Sequence, residues 1–215
     1  MKQYPSIQHR LDKGLDIIAF DKLDGSNIRA EWTQKAGFNK FGSRKCLIDE
    51  SMTGEQGLGN AVTVFKREWG EILPPIFKKQ KWTGKEMKVT CYFEYFGPKS
   101  AFGWHFDEPE DFSLILIDVN IHKRGLLPPK EFIKIFGHLE IPGILYRGKA
   151  NKTFLDTVRD STLEGMTHEG VVCKAPHPSK KKTAKPVMFK VKSQAWYDSL
   201  MSKCGGDLKE FERLK

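Results

Sequence analysis

A lysine stands between apolar and acidic residues in the stretch FDKLDGSNIRAEW, residues 20–32. An apolar run precedes Lys22 and an Asp-Gly pair follows it, so we expect this lysine at the end of a β-strand, beside a tight turn. An amine attacks phosphorus only when it is neutral, and the ordinary pKa of a lysine, about 10.4, must fall for that. Burial and nearby cations both favour the neutral form. On these residues alone, Lys22 is either such a nucleophile or an exposed cation at a strand end.

Further polar residues follow Lys22 along the chain in short, distinctive stretches. In FKVKS, Lys190 and Lys192 alternate and therefore point to one face of a predicted strand, where they would supply the nearby cations. The other stretches are FGSRK with Arg44, CYFEYFG with Glu94, LILIDV with Asp118, and HEGVVCK with Glu169 and Lys174.

This ordered series, KxDG, SR, FExFG, EGVVxK and FKxK, resembles the motifs of the covalent nucleotidyltransferase superfamily. That superfamily comprises ATP-dependent DNA ligases, RNA ligases and mRNA capping enzymes, and the resemblance spans residues 20–193. A KxDG motif alone has little specificity, whereas the whole series in this order is highly specific. The resemblance implies that Lys22 takes AMP from ATP as a phosphoramidate, which divides one difficult reaction into easier steps.

The resemblance also assigns roles around the nucleotide. Arg44, Lys190 and Lys192 would neutralise the charge of the triphosphate, because a polyanion needs cations in its pocket. Glu94 would hydrogen-bond the ribose. Glu169 would help to hold Mg²⁺ or Mn²⁺, since such ions use few carboxylates together with water and phosphate oxygens.

The base would lie between two aliphatic side chains in this chain. Val172 matches the family position on the EGVV strand, and Ile117 occupies a position at which RNA ligases commonly have an aromatic residue. The departure at Ile117 removes the expected aromatic stacking, and an ordinary core isoleucine is the alternative interpretation. The remaining predicted contacts with the nucleotide are Asp24, Gly25, Asn27 and Lys174.

The branch of the superfamily depends on the length of the chain. About 23 residues follow Lys192, too few for the five-stranded OB-fold that DNA ligases and capping enzymes carry there. If the chain has its full natural length, we expect an RNA ligase of the RNA ligase 2 type, which occurs in bacteriophages and in allied cellular editing ligases. The alternatives are a DNA ligase core that seals nicks, a GTP-using capping guanylyltransferase, and a non-enzymatic module that binds nucleotide or RNA.

Composition favours a polyanionic partner. The 215 residues carry a net charge of +9, which favours a nucleic acid, a nucleotide or an anionic membrane as the partner. The resemblance to RNA ligases implies that this partner is RNA, as free ends or a nicked duplex. Candidate contacts are Lys180, Lys181, Lys182 and Lys185 in HPSKKKTAKP, for which a solvated loop is an alternative of at least equal weight. The four cysteines are far apart and no apolar run approaches the length of a membrane span. We therefore expect a cytoplasmic protein, in the host cytoplasm if a phage encodes it. A monomer is a separate expectation.

The elements that position these residues form an α+β pattern without a regular βαβ rhythm. Strand-length runs rich in β-branched and aromatic residues are LDIIAF, SNIRAEW, MKVTCYFEYF, FSLILIDVNI, GVVCKA and PVMFKVK. Helical periodicity fits LGNAVTVFKREWGEIL, PPKEFIKIFGHL, KTFLDTVRDSTL and SQAWYDSLMSKC. We predict one adenylation domain over residues 1–215, with largely antiparallel sheets flanked by helices in an ATP-grasp-like ligase core.

Overall fold

The computed structural model describes residues 1–7, 14–52, 58–97, 111–176 and 187–214. These residues form ten strands and six helices, and every strand pair among them is antiparallel. The predicted α+β class is therefore confirmed. The chain divides into two compact units, and the prediction of a single adenylation domain stays a prediction. The described part of the large unit is residues 1–6, 24–52, 58–97 and 111–141, and that of the small unit is residues 7, 14–23, 142–176 and 187–214.

The large unit is built on a six-stranded sheet. Its spatial order is β4-β3-β2-β5-β6-β7. The strands are β2 (Ser26–Thr33), β3 (Gly37–Ser43), β4 (Leu47–Ile48), β5 (Lys88–Phe96), β6 (Ser113–Ile121) and β7 (Gly125–Leu126). The helices of this unit are α1 (Asn60–Glu68), α2 (Leu73–Lys79) and α3 (Pro129–Phe136). Helix α1 packs on the sheet through aromatic contacts, with the rings of Phe65 and Trp69 at 5.4 and 5.2 Å from that of Phe93.

The opposite face of this sheet is polar. Strand pairing sets Asn27 against Glu94 and Arg29 against Tyr92. The first residues of the chain lie on this face, where Arg29 donates to the Met1 carbonyl oxygen at 3.4 Å and the Tyr92 hydroxyl donates to that of Lys2 at 3.2 Å. Alternation along β2 and β5 thus separates an apolar helix-covered side from a side with polar groups.

The small unit is built on a four-stranded sheet, in the order β10-β9-β1-β8. Its elements are β1 (Asp16–Asp21), β8 (Ile144–Lys149), α4 (Lys152–Arg159), β9 (Gly170–Ala175), β10 (Val187–Lys192), α5 (Gln194–Lys203) and α6 (Leu208–Leu214). One face of the sheet buries Ala19, Val171 and Phe189 in a core with Phe154 and Val158 of α4. Alternation along β9 and β10 places the motif lysines on the other face.

The predicted helix over residues 58–73 is wrong in its extent. Helix α1 ends at Glu68, with Trp69 as its C-cap, and α2 begins at Leu73. The prolines at 74 and 75 occupy the first turn of α2, where a missing backbone N–H costs little. In the part of the chain that the structure describes, no helix is long and apolar enough to cross a membrane.

Candidate active site

Lys22 directly follows strand β1 in the small unit, as its sequence context predicts. Its backbone N–H donates to the Gly170 carbonyl oxygen at 2.9 Å, and the preceding N–H of Asp21 donates to Gly143 at 2.8 Å. The lysine backbone is therefore held between two other segments of its own unit.

The Glu169 carboxylate links two of the motif lysines. Its Oε2 accepts a hydrogen bond from Nζ of Lys22, and its Oε1 lies 3.0 Å from Nζ of Lys192. The side chains of Glu169 and Lys192 are 3% and 4% exposed, whereas that of Lys22 is 20% exposed. Two cations thus share one buried anion, and removal of Glu169 would leave both lysines without this common partner in a site of low dielectric.

Lys192 also contacts an aromatic ring. Its Nζ lies 3.2 Å from the ring centroid of Trp196, which is 2% exposed. An ammonium over the face of an indole is attracted by the ring quadrupole, most strongly where water is excluded. Lys192 is therefore fixed by a carboxylate and a ring, with little freedom to turn away.

The backbone around Glu169 is fixed by Gly170 and Ser193. Gly170 has a φ of +128°, and a Cβ there would overlap the backbone of Val191 on β10. Ser193 donates its N–H to the Glu169 carbonyl oxygen at 3.0 Å and its hydroxyl to that of His168 at 2.5 Å. The same hydroxyl accepts from Trp196 N at 3.0 Å and caps helix α5. One serine therefore connects α5, which carries Trp196, to the segment that carries Glu169.

Asp21 lies beside the lysine, and its side chain is buried. Its Oδ1 accepts hydrogen bonds from the backbone N–H and the hydroxyl of Thr167, at 3.1 and 3.2 Å. Burial raises the pKa of the Asp21 carboxyl, and the bonds from Thr167 oppose that shift without cancelling it. The neutral acid is therefore better tolerated here than in water.

The other predicted residues of the small unit lie along the sheet. Val172 pairs with Phe20 on β1 and with Lys190 on β10. Val172 and Lys190 are partly exposed, while Lys174 is 5% exposed with its Nζ at 4.8 Å from the ring centroid of Phe20. The register of β9 and β10 thus places Val172 and Lys190 side by side, so both could contact the same nucleotide.

A second group of predicted residues lies in the large unit, around Glu94. The Gly25 N–H donates to Oε1 of Glu94 at 3.1 Å, and Asn27 stands directly opposite Glu94 on the neighbouring strand. Asn27 donates its amide to the Phe93 carbonyl oxygen at 3.3 Å, while its Oδ1 is buried without a hydrogen-bond partner among the described residues. An unsatisfied acceptor of this kind is a place where a ligand donor would be bound.

Ile117 lies at an irregularity of β6. The register between β5 and β6 shifts at this point, because Tyr92 pairs with Asp118 and Phe93 pairs with Leu116. The buried Asp118 accepts a hydrogen bond of 2.5 Å from the Tyr4 hydroxyl. Burial and the nearby carboxylate raise the pKa of Tyr4 well above its ordinary value, so this hydroxyl keeps its proton and remains a donor.

The remaining predicted residues are one buried aspartate, one exposed arginine and four lysines outside the described residues. Asp24 is buried, whereas Arg44 is exposed after β3 and donates to the Ser6 hydroxyl at 3.3 Å. The candidate contacts with nucleic acid, Lys180, Lys181, Lys182 and Lys185, lie outside the described residues. The contacts of Tyr4, Ser193 and Trp196 are not predicted from the sequence; only the cap position of Ser193 before a periodic segment carries a local signal.

The metal prediction depends on a sparse set of ligands. Within the described ranges, no three His, Cys, Asp or Glu side chains come together as a metal site. Mg²⁺ bound to a nucleotide usually takes one or two carboxylates with phosphate oxygens and water, so Glu169 alone fits that need. Both of its oxygens contact lysine amines, and a bound ion would therefore compete with Lys22 or Lys192 for them.

Comparison with known proteins gives one family. A family model described as RNA ligase matches residues 15–192, a range that includes every candidate site residue predicted from the sequence. No curated protein matches the chain in sequence.

Solved structures of an RNA ligase from Naegleria gruberi share the fold. The structure with PPi aligns with a TM-score of 0.65 at 16% identity, and covers 93% of this chain and 58% of that one. A mutant with ATP and Mn gives 0.65 at 15% identity, and a mutant with AMP and Mn gives 0.64 at 15%, with the same coverage. At this identity the likeness shows the fold alone, and the chain spans 58% of the length of the ligase that it matches.

Proposed function

The chain belongs to the RNA ligase family, and from this premise we propose that it is an ATP-dependent RNA ligase that acts through a lysyl-AMP intermediate on Lys22. The observation that carries the proposal is the single Glu169 carboxylate that contacts both Lys22 and Lys192. Covalent transfer of a nucleotide requires a group that can take a proton from the attacking amine and a cation that can neutralise the phosphate, and Glu169 and Lys192 are placed to supply them.

In the first step, Nζ of Lys22 attacks the α-phosphorus of ATP. The N–P bond forms, the bond from phosphorus to the bridging oxygen of pyrophosphate breaks so that pyrophosphate leaves, and the amine, which attacks in its neutral form, gives up one proton and keeps the other in the phosphoramidate. Glu169 is the nearest carboxylate to that amine and accepts a hydrogen bond from it, so it is the group that orients the amine and takes up a proton. Lys192 would stabilise the negative charge that develops on the α-phosphate.

In the later steps, the 5′-phosphate of an RNA strand attacks the AMP phosphorus and releases Lys22. The product is a strand with a 5′–5′ pyrophosphate. A 3′-hydroxyl then attacks the original 5′-phosphorus, forms the phosphodiester and expels AMP. Each step exchanges one oxygen or nitrogen ligand of phosphorus for another, so in-line positioning and charge stabilisation supply most of the catalysis.

Other residues would bind the nucleotide. Glu94, whose carboxylate already accepts from Gly25, would accept a hydrogen bond from the ribose, and the free Oδ1 of Asn27 would accept another. Val172 and Ile117 would contact the base, and Lys190 and Arg44 the phosphates. A divalent ion, Mg²⁺ or Mn²⁺, would neutralise phosphate charge when it is bound. The solved relatives carry PPi, ATP with Mn, or AMP with Mn, which supports this choice of ligands.

A labelling experiment tests the first step. The wild type and the Lys22→Ala variant are incubated with ATP or GTP labelled at the α-phosphate, with Mg²⁺, and the denatured protein is examined for acid-labile label. The matched control is Lys149→Ala, which removes an exposed lysine of the same unit that pairs with Asp16 of β1. We expect label from ATP on the wild type and the control only. Label from GTP would indicate a capping-type guanylyltransferase, and no label from either nucleotide would overturn the proposal.

A further inference from the structure

Three segments of the large unit meet at one end of its six-stranded sheet. Thr33 at the end of β2 pairs with Lys88 at the start of β5, and the Gly84 N–H donates to Oε1 of Gln34 at 2.9 Å. The His122 N–H donates to the Lys88 carbonyl oxygen at 2.9 Å. Residues 33–37, 78–88 and 122–124 therefore form one continuous surface, which we call the lysine surface.

The lysine surface is strongly positive. It contains eight cations and a single acidic residue, Glu86, so its net charge of +7 compares with +9 for the whole chain. All eight cations are exposed: Lys35, Lys78, Lys79, Lys81, Lys85, Lys88, Lys123 and Arg124. Lys123 pairs with Glu86 and Arg124 with Glu131 of α3, whereas the other six make no ion pair with any described residue.

This concentration of charge opposes folding. Like charges that share a small surface repel each other and destabilise the compact state. Some exposed lysines elsewhere have an anionic partner, since Lys66 faces Glu50 at 2.8 Å and Lys149 faces Asp16 at 3.0 Å. The lysine surface differs from the rest of the described surface in the density of its cations and not in the lack of partners alone. A surface on which six lysines have no ion pair with any described residue is suited to anions from a partner.

The aromatic residues of this surface indicate how a partner would bind. Sequence-tolerant binding of single strands uses exposed aromatic side chains on which the bases stack. Trp82 is 6% exposed and Phe77, next to Lys78, is fully buried, so neither offers a stacking platform. Without such a platform, we expect the lysines to contact phosphates only. A duplex presents its phosphates on the outside while its bases stay stacked, so it suits this surface better than a single strand.

The lysine surface lies far from the candidate nucleotide contacts of the same unit. Asn27 and Glu94 pair near one end of β2 and β5, and Thr33 and Lys88 pair at the other. Six residues of strand separate the two pairs, a length of about 20 Å. A partner at the lysine surface would therefore be held well away from Asn27 and Glu94.

We propose that the lysine surface binds the phosphate backbone of duplex RNA, outside the ends that are joined. This inference rests on the proposed RNA ligase function for the identity of the nucleic acid. The surface contributes affinity that is independent of sequence and decreases steeply with salt, because each neutralised phosphate releases bound counterions.

The test compares two variants with equal loss of charge. The surface variant carries glutamine at positions 35, 79, 85 and 88. The control variant carries glutamine at four exposed lysines elsewhere, at positions 66, 149, 152 and 209. Binding of a fluorescent RNA duplex is followed by anisotropy between about 50 and 200 mM salt, together with single-stranded RNA of the same sequence. Lysyl-AMP formation with ATP alone is measured in parallel.

We expect the surface variant to bind duplex RNA at least about tenfold more weakly than the control variant at the lower salt, with a salt slope reduced by two to four units. Its lysyl-AMP formation and melting temperature should match those of the wild type or exceed them. Equal affinities of the two variants for duplex RNA would overturn the proposal, as would an equal loss for single strands. Failure of the wild type to form lysyl-AMP would overturn the proposed function instead, because the binding assay is independent of ATP.

Discussion

Nζ of Lys192 lies 3.2 Å from the ring centroid of Trp196 and 3.0 Å from Oε1 of Glu169. The cation is thus held by a neutral aromatic ring as well as by a carboxylate. The ring attracts the ammonium but cannot take its proton, so Trp196 positions the charge without competing for it. If Lys192 neutralises the α-phosphate, the rate of lysyl-AMP formation should depend on this ring.

We predict that Trp196→Leu slows lysyl-AMP formation, whereas Trp196→Phe keeps most of the rate. A desolvated cation–π contact contributes up to about 2 kcal/mol, which corresponds to roughly thirtyfold in rate. Single-turnover labelling at saturating ATP measures the effect. Since Trp196 is also a core residue, Leu200→Ala on the same helix is the control for lost packing. Equal rates for Trp196→Leu and Leu200→Ala would contradict the positioning role.

The main strands were predictable from the sequence. The runs at 15–20, 26–32, 87–96, 112–121, 170–175 and 186–192 agree with β1, β2, β5, β6, β9 and β10 to within one residue at each end. Each of these strands has buried apolar residues on at least one face, and its sequence is therefore a run of β-branched and aromatic residues that is easy to recognise. Strands β3 and β8 were missed because they are partly exposed and contain glycine and charged residues, which weaken the same signal.

The geometry of the candidate site was only partly predictable. Alternation brings Val172 and Lys190 together, because strand register follows from the pattern of buried residues. The contacts of Lys192 with Trp196, and of Tyr4 with Asp118, join segments whose path no local pattern determines. The phosphate contact of Arg44 stays a prediction, because the structure gives only its exposed position after β3 and its hydrogen bond to Ser6.

The shared carboxylate gives a second prediction. Glu169→Gln keeps the shape of the side chain but leaves the Lys22 and Lys192 ammonium groups without their common anion. We expect a loss of stability of about 3–5 kcal/mol, as for the removal of one partner from a buried ion pair, and a loss of lysyl-AMP formation. Urea denaturation and the labelling assay measure the two effects. Glu86→Gln, which breaks the exposed pair with Lys123, is the control and should cost at most about 1 kcal/mol. A stable Glu169→Gln protein with wild-type labelling would refute the assigned role.

Gly170 gives a third prediction, on stability. Its φ of +128° is unfavourable for any residue with a Cβ, and that atom would overlap the carbonyl group of Val191. Gly170→Ala should therefore push β9 away from β10 and displace the neighbouring Glu169. We expect a cost above the roughly 1–3 kcal/mol of backbone strain alone. Gly205→Ala is the matched control, since Gly205 also has a positive φ, of 58°, but a Cβ there would meet no atom within 4 Å. Equal costs in chemical denaturation would show that close packing at Gly170 is unimportant.

Asp21 gives a fourth prediction, on pH. Burial raises the pKa of its carboxyl in the folded protein, so the native state keeps this proton at pH values where the unfolded chain has lost it. The stability associated with the neutral acid is therefore fully present below the ordinary pKa of about 3.9 and is lost as the pH rises through the raised value. Asp21→Asn has no proton to lose, and its Oδ1 can still accept the two hydrogen bonds from Thr167.

The difference in the free energy of unfolding between Asp21→Asn and the wild type should accordingly shift in favour of the variant as the pH rises from about 4 to 7. Urea denaturation across this range measures the shift. Asp16→Asn is the control, because Asp16 lies at the exposed start of the same strand and pairs with Lys149. A difference for Asp21→Asn that does not change with pH would mean that the carboxylate is ionised in both states throughout. In that case the contacts with Thr167, together with the nearby charge of Lys22, outweigh the cost of burying it.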